Sequence, residues 1–243
     1  MNRVRCLVLA AMAVLGLSAI AVPAAQAEPE LLNSKGKEVA IKGFSSKDGE
    51  VELAIPADEE RVICKEGVGE GKVKNTKEVG GVSFKWTHCK GESPYFSSNK
   101  CEVHSVSPKG GSEEIVTNRL KGRLVSLVKP IEENPPEKVE AGLLLEPEEK
   151  LPLLEATGSC LPISTIKVSG GVVGYAEPFR KLASIITFHY SKECPTGGTC
   201  PPDEHQKIEE FGKKERAVLE VSSLKALLVI NDTVTFGEEA EVT

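Results

Sequence analysis

The sequence predicts an all-β fold, an antiparallel β-sandwich or two closely packed β lobes with little helix. Two observations carry that reading. Short runs of alternating apolar and polar residues recur along the chain and stop at Gly, Pro, Ser or Asn, the signature of strands and turns. Helical spacing of apolar residues is almost absent. With aromatic content at 5%, the core must come mainly from Val, Leu and Ile.

The chain opens on a removable export signal, residues 1–27. Arg3 and Arg5 form a basic start, Leu7 to Val22 is apolar apart from Gly16 and Ser18, and Ala25-Gln26-Ala27 supplies the small-x-small cleavage site before Glu28. Residues 28–243 read as one β-rich domain, secreted and extracellular, with a sub-boundary near 130–137 as the alternative division. Cys6 precedes the apolar core of the signal, so it is no lipoprotein acceptor, and no later apolar run reaches the ~20 residues of a membrane-spanning helix. Leu161-Pro162-Ile163-Ser164-Thr165 is only a faint likeness of a cell-wall sorting motif: it is internal and has no apolar tail behind it. Loss of the signal removes two arginines and no acid, moving the formal charge from −6 to −8. That balance argues against nucleic acid and anionic membrane surfaces as partners.

Val51, Leu53 and Ile55 alternate with Glu52 and Ala54, and Pro56 closes that strand. Val82, Phe84 and Trp86 share one face of the next clear strand, opposite Ser83, Lys85 and Thr87. Leu124 to Val128 and Leu143 to Leu145 read as more deeply buried strands. The proline-rich stretch from Lys129-Pro130 to Pro135-Pro136 forms the loop between them, since proline lacks the amide a ladder needs. Thr233 and Thr235 alternate with Val234 and Phe236 in a last strand. The exception to β structure is Asp203 to Phe211, where Asp203 as a cap and Gln206 three residues on allow a short helix; a strand followed by a loop fits equally well. A weak echo between Cys64–Cys89 and Cys160–Cys194, each spanning Gly, Val and Phe, hints at two similar meanders.

In an exported chain the six cysteines after the signal read as disulfides. Cys194 with Cys200 closes a Pro-Gly-Gly loop, Cys89 with Cys101 flanks a Gly-Ser-Pro-Asn loop, and Cys64 with Cys160 remains to join the two halves. Zinc competes, because His88 adjoins Cys89, His104 follows Cys101 by three and His205 follows Cys200 by five. The lack of a C-x-x-C and the export signal favour disulfides over it. An even set of six leaves no free thiolate for cysteine catalysis. No G-x-S-x-G occurs, and His88 and His189 are better explained as satisfied buried histidines on strands than as general bases.

The doublets Glu59-Glu60, Glu113-Glu114, Glu148-Glu149, Glu209-Glu210 and Glu238-Glu239 supply no glycosidase pair, because neighbours on a strand point to opposite faces. Clustered Asp and Asn for a calcium loop are lacking too. Ser169-Gly170-Gly171-Val172-Val173-Gly174 lacks the Lys-Ser/Thr ending of a phosphate loop and reads as strand with a bulge. Tyr95 and Phe96, between Cys89 and Cys101, would anchor a partner if exposed and cap the core if not. Asn231-Asp232-Thr233 fits a glycan acceptor but follows a buried-looking strand.

A longer pattern is carried by Val62-Ile63-Cys64, Phe84 with Cys89, Cys101, and Ile115-Val116-Thr117-Asn118-Arg119-Leu120-Lys121-Gly122-Arg123-Leu124. It continues through Ala141-Gly142-Leu143-Leu144-Leu145-Glu146-Pro147, Gly158-Ser159-Cys160 and Ser169 to Gly174. This order resembles a group of secreted, signal-peptide-bearing β-rich proteins of unknown function from high-GC Gram-positive bacteria, over most of residues 43–236. The resemblance implies an exported β-rich protein and brings no catalytic residues; the Cys194–Cys200 loop is an addition to it.

The expected role is therefore that of an exported, non-enzymatic protein, binding or structural, whose partner is a cell-surface or envelope component. No cofactor and no metal are called for. The alternative is a secreted hydrolase whose site assembles from dispersed residues, Glu113 or Glu114 with His104 or His189.

Overall fold

The computed structural model describes residues 28–40, 43–55, 60–93, 100–128, 139–159, 165–190, 207–210, 213–216, 219–221 and 224–243. Every regular element among them is a β-strand, so the all-β expectation holds. The first half of the chain contributes β1 (Leu31–Asn33), β2 (Gly43–Asp48), β3 (Val51–Ile55), β4 (Glu60–Cys64), β5 (Glu66–Val73), β6 (Glu78–Thr87), β7 (Lys90–Glu92), β8 (Lys100–Ser107) and β9 (Ile115–Val116). There follow β10 (Leu120–Val128), β11 (Val139–Pro147), β12 (Leu154–Gly158), β13 (Ile166–Gly170), β14 (Val172–Glu177) and β15 (Ala183–Tyr190). The chain finishes with β16 (Lys207–Glu210), β17 (Lys213–Arg216), β18 (Leu219–Val221) and β19 (Leu224–Val242).

The pairings are antiparallel and close on themselves. Taken in spatial order, β19, β15, β14, β11, β10, β6, β5 and β2 form an eight-stranded barrel, with β2 returning to β19. The sheet thus rolls into a barrel in place of the open-edged sandwich among the expectations. A second circuit runs through β19, β3, β4, β7, β8, β12, β13 and β18 back to β19. We call the two circuits the first and second rings. Eight strands enclose a space that side chains alone can fill, and one continuous apolar cluster occupies both rings.

At five places the chain passes from one ring to the other with no more than two residues between strands: β2 into β3, β4 into β5, β6 into β7, β13 into β14, and within β19 itself. At the β13–β14 crossing Gly170 has φ 97°, a conformation that glycine adopts without steric cost. The glycines of the 169–174 segment therefore mark a strand changing rings, in keeping with a bulge rather than a phosphate loop. The strands read as deeply buried are β10 and β11, which pair from Leu120↔Pro147 to Val128↔Val139. The stretch between them, including the sub-boundary near 130–137, lies outside the described residues, as do residues 1–27, read as an export signal, and Tyr95 and Phe96. Within Asp203 to Phe211, residues 207–210 form strand β16 in a hairpin with β17, not a helix.

The disulfides correct two expected pairings. Cys64 bonds Cys89, which overturns both Cys89–Cys101 and Cys64–Cys160. The cause is register. Ile63 faces Lys90 across β4 and β7, so the next residue in each direction brings Cys64 beside Cys89, whereas Cys101 is held opposite Gly91. Cys101 is itself disulfide-bonded, to a partner outside the described residues. Cys160, Cys194 and Cys200 also lie there. The Cys64–Cys89 bond is buried where β4 leaves the second ring for the first and β6 leaves the first for the second.

Candidate functional site

Alternation along β19 sends Ile230, Asp232, Val234 and Phe236 into the first ring. On its neighbour β2 the inward positions are Ser46 and Asp48. Register then sets Asp48 directly across from Asp232. Both side chains are 2% exposed, and their carboxyl groups lie within hydrogen-bonding reach of each other. These are two of only four aspartates in a chain with 36 acidic residues, and a strand interior is a costly place for either.

The remaining walls of the site come from β5, β6 and β15. Trp86, the chain's one tryptophan, donates its indole N–H to Asp48 Oδ2 at 3.0 Å. Tyr190 is buried with its hydroxyl unpartnered, and Asp48 Oδ1 and Asp232 Oδ1 are likewise unpartnered. Ser46 Oγ sits beside Asp232 without meeting the geometry of a hydrogen bond. Room for this cluster is made by the inward glycines of β5. A Cβ on Gly67 would stand 2.6 Å from Asp48 Oδ2 and closer still to the Trp86 ring, and one on Gly69 would strike Ser46 and Phe84.

Burial raises both aspartates above the ordinary carboxylate value. For Asp48, hydrogen bonds from Asp232 and Trp86 oppose that rise. For Asp232, which is raised well above it, the charge of Asp48 adds to the effect of burial. Burial, and then the two carboxylates, push Tyr190 well above the usual phenol value, so it stays a neutral hydroxyl. Two carboxyls in contact, with no cation against them among the described residues, can carry one proton between them. Asp232 also borders an apolar cavity walled by Phe44, Phe84, Phe188 and Phe236. That cavity leaves about 20 Å³ for the centre of a water molecule, room for water but far short of a drug-sized ligand.

The residues singled out from sequence lie elsewhere. His88 follows the end of β6 with φ 57° and turns outward beside Glu66, so it is exposed and Cys89 takes the inward place. This corrects the buried histidine expected there. His104 is exposed on β8 opposite Thr157. His189 faces out from β15, where it stacks on Tyr175 at 4.6 Å and meets Asn231 Oδ1 at 2.8 Å. Glu113 pairs with Lys90, and Glu114 pairs with Lys85 at 2.7 Å. Each partner lysine, through its hydrogen bond first, holds its glutamate below the usual carboxylate range. Glu113 and Glu114 stand beside β8, the strand that carries His104, whereas His189 lies apart from them on a wall of the first ring. His205 lies outside the described residues. Among the described residues no three His, Cys, Asp or Glu side chains cluster as a metal site, and no helix is long and apolar enough to cross a membrane.

The Asp48–Asp232 pair was missed because the search for paired carboxylates followed neighbours in sequence. The signal was present: the alternation Val234, Phe236 carried two residues back puts Asp232 on the inward face. No protein-family model, curated protein or solved structure matches this chain.

Proposed function

We propose that the chain is an exported, non-enzymatic protein that serves as a rigid binding or structural element outside the cell or at its envelope. The observation that carries this reading is the buried Cys64–Cys89 disulfide, in a chain that opens on an export signal. Such a bond persists where thiols oxidise and is rare in the cytosol. Side chains fill both rings, which suits a scaffold better than a carrier with an internal ligand chamber. The glutamates of the alternative hydrolase reading are engaged by Lys90 and Lys85, and that favours the non-enzymatic reading over it. The resemblance to secreted β-rich proteins points the same way.

The test is to express the full chain with its leader and recover it from medium and envelope fractions. Edman sequencing and intact mass without reductant should give a start at Glu28 and six oxidised cysteines. A chain retained in the cytoplasm with free thiols overturns the reading. So does turnover of an ester, glycoside or peptide panel that vanishes in Glu113→Gln or His104→Ala.

A further inference from the structure

We propose that Asp48 and Asp232 hold a single proton between them in the native barrel, and that losing this proton loosens the first ring at its β2–β19 seam. The two residues are register partners on adjacent strands, buried to the same extent, with their carboxyl groups in contact. Trp86 donates to Asp48 Oδ2, so Asp48 is the member already served as an anion and Asp232 is the member that carries the proton. Two full charges at this distance inside an apolar ring would repel each other with little water to screen them.

Among the described residues no cation offsets the pair. From β2 it faces Ser46, from β5 only Gly67 and Gly69, from β6 the Trp86 indole, and from β15 the Tyr190 phenol. Lys77 and Glu78 border the adjoining cavity, and Lys77 is bonded to Glu28 at 2.5 Å. Tyr190 does not ionise before the pair, because the same burial and the same carboxylates hold its proton.

The direction of the pH effect follows. A carboxyl raised in the folded state binds its proton there more tightly than in the unfolded chain. The pair therefore leaves stability intact in acid, below the ordinary aspartate value of 3.8, and erodes it as pH climbs from there through the raised folded value. The barrel is strengthened by acid and weakened by alkali, opposite to a protein held by surface carboxylates.

Trp86 makes the test specific, since it is the chain's sole tryptophan and touches Asp48 directly. Its emission should be titrated in the folded full-length protein alongside Asp232→Asn and Asp48→Asn. The wild type should show a transition with a midpoint above the ordinary carboxylate range, lost in either variant, and its Tm should fall through the same window while the variants stay level. A midpoint at the ordinary value, or a transition that survives in both variants, overturns the proposal. Should neither variant fold, calorimetry of the wild type in buffers of different ionisation heat counts the protons exchanged on unfolding. Release of protons in that window supports the pair, and no exchange overturns it.

Discussion

The first ring places Phe44, Phe84, Trp86, Phe188, Tyr190 and Phe236 inside eight strands, whereas the second closes eight strands over Val62, Val103, Leu154, Ile166, Val168 and Leu219. The aromatic ring needs empty positions opposite its bulk, and Gly67, Gly69 and Gly71 supply them in one row. The strands of the aliphatic ring carry no such row. Their buried polar groups differ in the same sense. In the second ring Ser105 Oγ accepts the Val116 N–H at 3.0 Å, and Ser93 donates to Glu60 at 3.2 Å. In the first, Asp48, Asp232 and Tyr190 each keep an oxygen without a partner. One ring is polar inside only where hydrogen bonds close; the other keeps a cluster that a proton must complete.

Substitutions can break this contrast, and the largest effect is expected at Gly67→Val. The new side chain has nowhere to go between Trp86 and Asp48, and a loss of about 3 kcal/mol or more in denaturant unfolding is expected. Next comes the bond at the junction. Replacing Cys64 and Cys89 together by Ala should lower stability by about 2–4 kcal/mol, read from the urea midpoint together with the slope, which should steepen as the unfolded chain loses its cross-link. Ser105→Ala should cost about 1–3 kcal/mol, because it strands the Val116 amide beside a fully buried position. Asp232→Asn should act with the opposite sign and raise Tm at pH 8, the gain shrinking toward pH 4 as the wild-type pair takes up its proton. At the bottom of the scale, Lys85→Met removes an exposed ion pair with Glu114 and should leave Tm unmoved.

Much of the fold was legible because strands announce themselves by period two. Val51 to Ile55, Val82 to Trp86 and Thr233 to Phe236 fall in strands with the expected inward faces, and Leu124 to Val128 falls in a strand whose Leu124 and Leu127 are only partly buried. Closure was not legible, since it depends on which strands meet, and nothing local in β2 says that it pairs with β19 nearly two hundred residues away. The disulfide failed for the same reason: loop composition suggested Cys89–Cys101, while cross-strand register chose Cys64. The glycines of Glu66–Val73 gave no local sign of their role. Glycine normally signals a turn, and here every second residue of a regular strand is glycine so that larger side chains can lie against it. The acid pair was half visible, as an inward position on one strand whose partner only the fold supplies.

β19 runs nineteen residues, roughly 60 Å at the rise of an extended strand, and is a stave of both rings. With four other lines of chain also continuous across the junction, neither ring owns a complete set of strands that could come apart by itself. Melting should thus be all-or-none, and a tug applied along the long axis would be shared by staves spanning the full height instead of concentrating at a hinge. A molecule built this way resists shear as a single stiff peg, with no joint at its waist.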